Sequence, residues 1–188
     1  GLNIPFEIIP LTLLEPNILK TYKDAANNKL RLLFTGSLDY GPNCAAIFWF
    51  IENVFKKFKD LEIELVIGGR NPSKKLCDII SRYKNIKLIT NFNSFQELIN
   101  NRTIFISPLF FGGGMKIKVA EALSHGLIVI GTTESFIGYD YVKEVQQNSI
   151  LIEVNAACEF ISEIQNFYND KSPTISPESI KLFKKYYS

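Results

Sequence analysis

The sequence predicts an α/β fold in which a parallel β-sheet is covered by helices on both faces. Short apolar runs alternate with longer amphipathic segments at least five times along the chain. The runs are continuously apolar, as in Leu65-Val66-Ile67, Ile104-Phe105-Ile106 and Ile128-Val129-Ile130. Strands that are buried on both faces produce this pattern, and helices on both sides of a parallel sheet bury them in that way. Right-handed crossovers then give a Rossmann-like, doubly wound parallel sheet of about six strands.

Residues 1–29 carry no regular pattern. The run Phe6–Ile9 predicts a short strand, but Pro10 and Pro16 interrupt any regular structure after it. We therefore expect an interdomain lead-in segment over 1–29, before the regular alternation begins at residue 30.

The first half of the regular region predicts three strands, each followed by a helix. The strands are expected over residues 30–35, 62–68 and 86–90, and the helices over 43–59, 73–83 and 94–101. Asn43 is a suitable cap for the first helix, and Ser94 with Glu97 has the spacing of a capping box for the third. The first helix has one apolar face. This face consists of Ile47, Phe50, Ile51, Val54 and Phe58.

The second half repeats the alternation around a glycine-rich loop. Strands are expected over residues 103–107, 127–131 and 149–154, and helices over 116–125 and 156–168. Pro173 and Pro177 then separate a tail, 171–188, whose last helix runs over 178–187. Packing of this helix on its own domain is favoured over contact with a membrane surface or a partner domain.

Length and composition restrict the class of protein. The chain has 188 residues, enough for one hydrophobic core and short for two. Hydrophobic residues make up 46% and charged residues 21%, a balance that excludes a disordered chain. The formal net charge of +2 lacks the basic excess of a nucleic-acid-binding protein, so no nucleic-acid partner is expected.

Cysteine usage and the absence of targeting signals favour a cytoplasmic location. Cys44, Cys77 and Cys158 are scattered and odd in number, which argues against a disulfide framework or a zinc site. No apolar run approaches the ~20 residues that span a bilayer, and Gly1–Pro5 does not begin a signal peptide. Because the sequence does not start with Met, we expect a piece of a longer protein.

The strongest functional signal is the loop after the fourth predicted strand. In sheets of this kind ligands bind at the carboxyl ends of the strands. Here Gly112, Gly113 and Gly114 lead into a helix whose first turn carries Lys116 and Lys118. The amides and the positive dipole end of a helix N-terminus suit an anion such as a diphosphate. Glu121, about one turn further, suits the hydroxyls of a sugar. The competing interpretation is a glycine-rich turn with two solvated lysines.

Other phosphate-binding motifs are excluded by inspection. A GxGxxG pattern would need glycine where Ile117 stands, and no GxxxxGK[ST] occurs. No Asp-x-Asp offers ligands for a metal-bridged diphosphate. We therefore expect no metal and no cofactor, with the helix N-terminus and the lysines balancing the phosphate charge.

Several further residues have both a functional and a structural interpretation. Gly36, after the first strand, allows a ligand close to the backbone or simply a turn into the helix. Arg70 can pair with phosphate or remain solvated. His125, the single histidine, is better explained as a helix C-terminus than as a catalytic base. Trp49 and the phenylalanines around it are expected to pack in the core or an interface.

Three of these segments together resemble a known family. GSLDYGPN after the first strand, IGGRNPS after the second and SPLFFGGGMKIKVAEALSHGLIVIGT resemble the carboxyl-terminal, donor-binding domain of GT-B glycosyltransferases. The nearest group is glycosyltransferase family 4, also called glycosyl transferases group 1, and the resemblance covers about residues 30–170. It implies a two-domain enzyme whose carboxyl-terminal half holds a nucleotide-sugar.

The resemblance also implies roles for individual residues. The glycine loop would offer amides to the diphosphate and the transferred sugar, Gly36 and Ser37 would border the phosphates, and Glu121 would hold the ribose. The remaining implied contacts are Met115 at the end of the glycine loop, Lys116 or Lys118 at the phosphates, and Asn91 and Phe92 near the base.

The sequence departs from the family pattern at two places. Many members carry two glutamates separated by seven residues, and the first of these positions is Gly113 here. Many also carry an arginine and a lysine after the first strand, where this chain has Ser37 and no basic pair. Lys116, Lys118 and Arg70 are the candidates to replace these contacts.

The function implied is transfer of a sugar from a nucleotide-sugar to a glycan or lipid-linked acceptor of the cell-envelope polysaccharide type. The resemblance implies a metal-independent, retaining reaction and an acceptor domain before residue 1. It is also compatible with peripheral membrane association of the full-length enzyme. A non-catalytic Rossmann-like module that binds a nucleotide or a protein is the alternative. A sugar-nucleotide epimerase is less favoured, because the expected acid and base residues are missing.

Overall fold

One parallel sheet of six strands organises the molecule and confirms the predicted fold class. The computed structural model describes residues 29–139 and 149–187. The strands are β1 (Leu30–Thr35), β2 (Ile63–Gly68), β3 (Ile86–Ile89), β4 (Thr103–Ser107), β5 (Ile128–Gly131) and β6 (Leu151–Glu153). Their order in the sheet is β3-β2-β1-β4-β5-β6, and every neighbouring pair is parallel.

The strand order places a topological switch point between β1 and β4. From β1 the chain proceeds outward to β2 and β3, then returns to the other side of β1 and proceeds outward again through β4, β5 and β6. The connections that leave β1 and β4 therefore diverge, and a crevice opens at the carboxyl ends of these two central strands. Every residue of β1, β2 and β4 is buried, in keeping with their continuous apolar sequences.

The helices follow the strands as the sequence predicts, with shifted boundaries. The α-helices are α1 (Gly41–Asn53), α2 (Lys74–Ile80), α3 (Ile117–Ser124), α4 (Ala157–Asn169) and α5 (Pro177–Tyr187). Short 3-10 helices cover Phe55–Phe58, Phe95–Leu98 and Thr133–Phe136. The short strand predicted over 6–9 lies outside the described residues.

The start of the first helix differs from the prediction. Tyr40 is the N-cap of α1, and Pro42 stands in the first turn, where its missing N–H is not needed. Asn43 is therefore not a cap but a buried residue inside the helix. The helix also ends early, at Asn53, and a separate 3-10 turn carries Phe55 and Phe58 into the core.

The helix predicted over 94–101 is only one 3-10 turn. The Ser94 hydroxyl accepts a hydrogen bond from the Gln96 amide at 3.1 Å. The Glu97 carboxylate accepts one from the Asn93 amide, so the reciprocal capping box does not form. The chain is extended again at Ile99, which leads towards β4.

Two hydrophobic cores lie on opposite faces of the sheet. Side chains of α1, α2 and α4 pack with Leu32 and Phe34 of β1 on one face. Side chains of α3 and α5 pack with Leu33 of the same strand on the other face. The last helix thus packs on its own domain, burying Leu182, Phe183 and Tyr187. Successive side chains of a strand point to opposite faces of the sheet. A strand that is covered on both faces therefore has apolar residues at every position.

A charged cluster crosses the first three strands. Arg31 of β1 lies opposite Glu64 of β2, and their side chains form an ion pair of 2.6 Å. The second Glu64 oxygen pairs with Lys87 of β3 at 2.8 Å, and Arg31 also donates to the Leu98 carbonyl at 2.9 Å. Burial by itself would raise the pKa of Glu64, but the hydrogen bonds from Lys87 and Arg31 hold it below its usual value.

Membrane-spanning character is not found in the described residues: none of their helices combines the length and apolarity needed to cross a bilayer.

Candidate functional site

The loops after β1 and β2, which border the crevice on one side, approach each other closely through their backbones. The Gly36 amide donates to the Gly68 carbonyl at 3.0 Å, which joins the ends of β1 and β2. A Cβ on Gly69 would lie 1.9 Å from the Gly36 carbonyl oxygen, so only glycine fits there. A Cβ on Gly36 would lie 2.6 Å from the Asn43 side-chain nitrogen. The loops leaving the two strands are therefore in direct contact.

The glycine loop after β4 is open on the side that a ligand would approach. Gly112 and Gly114 have φ of +135° and +67°, in the region that favours glycine. A Cβ built on Gly113 or Gly114 would meet no heavy atom within 4 Å among the described residues. The glycines thus set the loop conformation and leave space above its backbone.

Lys116 holds this loop from below. Its ammonium group donates to the carbonyls of Gly114 at 2.7 Å and Gly112 at 3.3 Å. It also forms an ion pair of 2.9 Å with Glu134, and the residue is only 9% exposed. A cation is disfavoured at the positive end of a helix dipole, and for Lys116 the compensating anion is Glu134 of the same chain.

The first turn of α3 keeps unpaired amides at its N-terminus. The Tyr139 hydroxyl donates to the Lys116 carbonyl at 2.8 Å and accepts from the Ala120 amide at 2.9 Å, where a direct helical hydrogen bond would otherwise form. Burial and the nearby Tyr187 raise the pKa of Tyr139, so it stays a neutral donor. Among the described residues, the amides of Ile117 and Lys118 have no backbone acceptor. These amides form the positive end of the helix dipole.

Lys118 lies beneath the loop after β1. Its ammonium donates to the Asn43 side-chain oxygen at 2.6 Å and stands 4.3 Å from the centre of the Phe34 ring. No carboxylate of the described residues pairs with it. Burial, with the charge of Lys116 adding to it, lowers the pKa of Lys118 to about 7. A largely buried ammonium without a counter-ion among the described residues is an unusual feature, and this one lies next to Gly36.

Glu121 is the half-buried acid of the site. It lies three residues beyond Lys118, on the same side of α3. Burial raises the pKa of its carboxyl group, and no described residue hydrogen-bonds to that group. An unpartnered carboxylate suits acceptance of hydrogen bonds from hydroxyl groups of a ligand.

The remaining predicted residues lie along the edge of the crevice. A Cβ on Gly68 would come within 3.3 Å of Phe92, which places this half-buried ring against the end of β2. Asn91 and Arg70 are exposed, and among the described residues neither side chain hydrogen-bonds to the glycine loop. The Ser37 hydroxyl donates to Asp39 at 2.6 Å.

The structure thus brings most predicted residues together and leaves others at the periphery. Gly36, Ser37, Lys116, Lys118 and the glycine loop surround the N-terminus of α3, and Met115 contacts Gly138 on the next loop. Arg70 is exposed, and its backbone carbonyl accepts a hydrogen bond from the Leu38 amide of the loop after β1.

Sequence reasoning misses three residues of this arrangement. It predicts Asn43 as a helix cap, whereas the contact of Asn43 with Lys118 joins residues 75 positions apart. Glu134 and Tyr139 lie after β5 and contact Lys116 from there. No local pattern identifies such partners, because they meet only when the sheet assembles.

His125 ends α3, as the sequence predicts. It is the C-cap of the helix, and its ring stacks on Phe95 with centroids 4.9 Å apart. Burial lowers the pKa of His125 to about 4, so the ring is neutral near pH 7. A neutral ring carries no charge to interact with the dipole at the helix C-terminus.

Clustered metal ligands are missing from the described part of the chain: residues 29–139 and 149–187 contain no group of three or more His, Cys, Asp or Glu that is placed to hold an ion.

The fold and the crevice together define a class of protein. A parallel sheet of this order, with an open glycine loop entering a helix N-terminus at the switch point, is a Rossmann-like domain with a ligand crevice at the carboxyl ends of its central strands. Residues 29–170 match the family described as glycosyl transferases group 1. The chain belongs to this family.

Solved structures share the fold of this chain, which is that of a GT-B glycosyltransferase domain. TarM superposes on 90% of this chain with a TM-score of 0.68 and 15% identity. WaaG, described as a glycosyltransferase involved in lipopolysaccharide biosynthesis, superposes on 96% with a TM-score of 0.63 and 14% identity. Alr3699/HepE of Anabaena, solved in complex with UDP and glucose, superposes on 86% with a TM-score of 0.62 and 12% identity.

The chain is shorter than each of these relatives. It spans 34% of TarM, 50% of WaaG and 45% of HepE. An uncharacterized 44.6 kDa protein in the cps region of Klebsiella pneumoniae is 28% identical over 111 residues, which cover 54% of this chain and 29% of that protein.

Proposed function

We propose that this chain is the nucleotide-sugar-binding half of a glycosyltransferase that transfers a sugar from a nucleotide diphosphate donor to an acceptor. The observation that carries the proposal is the open N-terminus of α3, where unpaired amides, an unobstructed glycine loop and the Lys118 ammonium meet. Backbone amides at a helix N-terminus bind phosphate without further help, and a cation beside them strengthens the contact.

Each part of the crevice has a task in this proposal. The diphosphate lies over Gly113 and Gly114 and accepts hydrogen bonds from the amides of Ile117 and Lys118. The Lys118 ammonium balances its charge, while Lys116 is committed to the loop and Glu134. Because amides and ammonium can neutralise the diphosphate, we propose that the reaction does not depend on a metal.

The nucleoside occupies the side of the crevice nearer β2. The Glu121 carboxylate accepts hydrogen bonds from the ribose hydroxyls, and the half-buried Phe92 ring offers an apolar surface to the base. Asn91 lies at the exposed end of this surface, and Arg70 is exposed beside the loop after β1. The transferred sugar then extends from the glycine loop towards solvent.

An acceptor-binding domain is proposed opposite this crevice. The chain spans half or less of TarM, WaaG and HepE. A rim of large apolar side chains surrounds the site, and such exposed groups are typical of surfaces that face a partner. The rim consists of Tyr40, Phe110, Phe111, Ile117 and Ile137, each between 44% and 54% exposed.

The similar proteins support the donor and the acceptor classes of the proposal. HepE was solved with UDP-glucose, WaaG acts in lipopolysaccharide biosynthesis, and the Klebsiella relative lies in a cps region. We propose by analogy a glycan or lipid-linked acceptor of the cell envelope. Retention of the sugar configuration is proposed from the family resemblance.

A binding panel tests the proposal. UDP, GDP and ADP, each free and linked to glucose, are titrated into the chain by calorimetry, and we expect one base to be preferred. Glu121→Ala should weaken binding of that nucleotide roughly tenfold to a hundredfold, the loss expected when hydrogen bonds to a charged group are removed.

Glu178→Ala, on the exposed side of α5, is the matched control and should bind like the wild type. Far-UV circular dichroism should be unchanged in both variants. Absence of binding by all six ligands at millimolar concentration would contradict the proposed function.

A further inference from the structure

We propose that Asn43 is a positioning residue that holds the Lys118 ammonium against the loop after β1, and so gives that loop a phosphate-facing cation that its own sequence lacks. Residues 36–42 contain no lysine or arginine. The cation comes from α3, after β4. This inference rests on the proposed function, because the cation matters only if a diphosphate binds there.

Both ends of the Asn43 amide are engaged, and the residue is 5% exposed. Its nitrogen donates to the Ser37 carbonyl at 2.9 Å, and its oxygen accepts from the Lys118 ammonium at 2.6 Å. One side chain of α1 therefore fixes the loop after β1 and the first turn of α3 relative to each other. Gly36 makes room for this contact, since a Cβ there would meet both Asn43 and Lys118.

A neutral acceptor is required for this task. A carboxylate at the same place would hold the ammonium, but it would cancel the charge that the diphosphate needs and would repel the phosphates. Lys116 shows the contrast, because its charge is balanced by Glu134 at 2.9 Å. Asn43 orients the Lys118 ammonium and leaves its charge available.

The charged groups near Lys118 lie on α3 and on the loops after β1 and β5. Lys116, two residues earlier, disfavours the charged form of Lys118, and Glu134 is paired with Lys116 at 2.9 Å. Glu121 lies one turn further along α3, and Asp39 is exposed and accepts hydrogen bonds from Ser37 and Asn71. Burial dominates and lowers the pKa of Lys118 to about 7.

Binding of the diphosphate should therefore take up a proton. Near neutral pH the free site is only partly protonated, whereas the complex favours the ammonium form. Affinity should fall as pH rises above about 7, by up to about tenfold per pH unit. A sugar-linked diphosphate is the suitable probe, because its phosphates carry no group that titrates in this range.

The test measures the affinity of UDP-, GDP- and ADP-glucose for the chain by calorimetry from about pH 6 to about pH 9. Asn43→Asp keeps an oxygen for Lys118 but adds a charge. We expect it to bind about tenfold more weakly at pH 6 and to move the decline in affinity to higher pH. Asn43→Leu removes both contacts and should lose most of the affinity.

The matched control is Asn53→Asp on the same helix, where the native amide donates to the Trp49 carbonyl at the surface. It should keep the wild-type pH profile. Proton uptake by the wild type, measured in buffers of different ionisation enthalpy, supplies a readout that needs no variant.

Two outcomes would overturn the inference while leaving the proposed function intact. One is a nucleotide-sugar that binds the wild type without proton uptake and with a flat pH profile. The other is a folded Asn43→Asp variant whose affinity declines at the same pH as that of the wild type. If none of the three nucleotide-sugars binds, the proposed function itself fails.

Discussion

Lys116 and Lys118 stand two residues apart and differ in what surrounds their ammonium groups. Lys116 is paired with Glu134 and two loop carbonyls, whereas Lys118 faces one neutral amide oxygen and an aromatic ring. Burying an ammonium without a counter-ion opposes folding while it is charged. A position that weakens the fold in this way is typical of residues retained for binding.

The pH dependence of stability provides a measurable consequence for Lys118. Below about pH 7 the group is protonated in both states. Above it the folded chain releases the proton while the unfolded chain holds it up to about 10.5. The unfolded state then binds more protons, so the free energy of unfolding should rise with pH across this window, by up to about 1.4 kcal/mol per pH unit.

Urea unfolding at several pH values measures this rise. The Lys118→Met variant keeps the aliphatic packing on Phe34 but should show no such rise with pH. Lys56→Met, at an exposed position, should show the same rise as the wild type. Equal slopes for wild type and Lys118→Met would contradict the assignment of a buried, half-charged lysine.

At the residue scale the sequence predicts the kinds of group but not their partners. The three glycines, both lysines and Glu121 are recognisable because they follow one another in a single loop and helix. The pairing of Lys116 with Glu134, and of Lys118 with Asn43, joins loops that leave different strands. Such contacts depend on strand order, and local spacing does not reveal that order.

At the scale of elements, the register of the first three strands brings Arg31, Glu64 and Lys87 together. Arg31 and Glu64 are register partners, and their side chains are 11% and 6% exposed. Lys87 is half-exposed and contacts the same carboxylate. The cluster favours the observed register of β1 with β2, since a shifted register would leave buried charges unpaired.

Removal of the shared acid should therefore be costly. Glu64→Gln leaves the Arg31 guanidinium buried without an anion, and the free energy of unfolding should fall by roughly 3 kcal/mol. Lys87→Gln removes only the half-exposed partner and should cost about 1 kcal/mol or less. Urea unfolding at neutral pH compares the two variants, and equal losses would contradict the structural role given to the Arg31–Glu64 pair.

The elements themselves are largely predictable because continuous apolar runs indicate the strands and an apolar face at helical spacing indicates a helix between them. The boundaries of β1 and β4 agree with the predicted 30–35 and 103–107. The prediction of a helix over 94–101 is wrong. The Ser94 hydroxyl accepts a hydrogen bond from an amide only two residues ahead, and the backbone is extended again at Ile99. A capping signal specifies where a turn starts and not how long it continues.

At the scale of the whole molecule, the two cores cover the faces of the single sheet and leave the carboxyl ends of its central strands open. Helices cover both faces, and the loops at the carboxyl ends of β1 and β4 diverge around the N-terminus of α3. The apolar rim and the unpaired amides both lie at these strand ends. The formal charge of +2 describes the chain as a whole, whereas the charge that the proposed diphosphate site uses is local, at Lys118.

The location of a bound diphosphate is the central claim, and an amide-resolved NMR titration with UDP, GDP and ADP tests it most directly. We expect the largest chemical-shift changes at the amides of Gly113, Gly114, Ile117 and Lys118, with smaller ones at Gly36. Changes confined to another part of the molecule, such as the cavity that Ile152 and Phe167 line beside α4, would contradict the account.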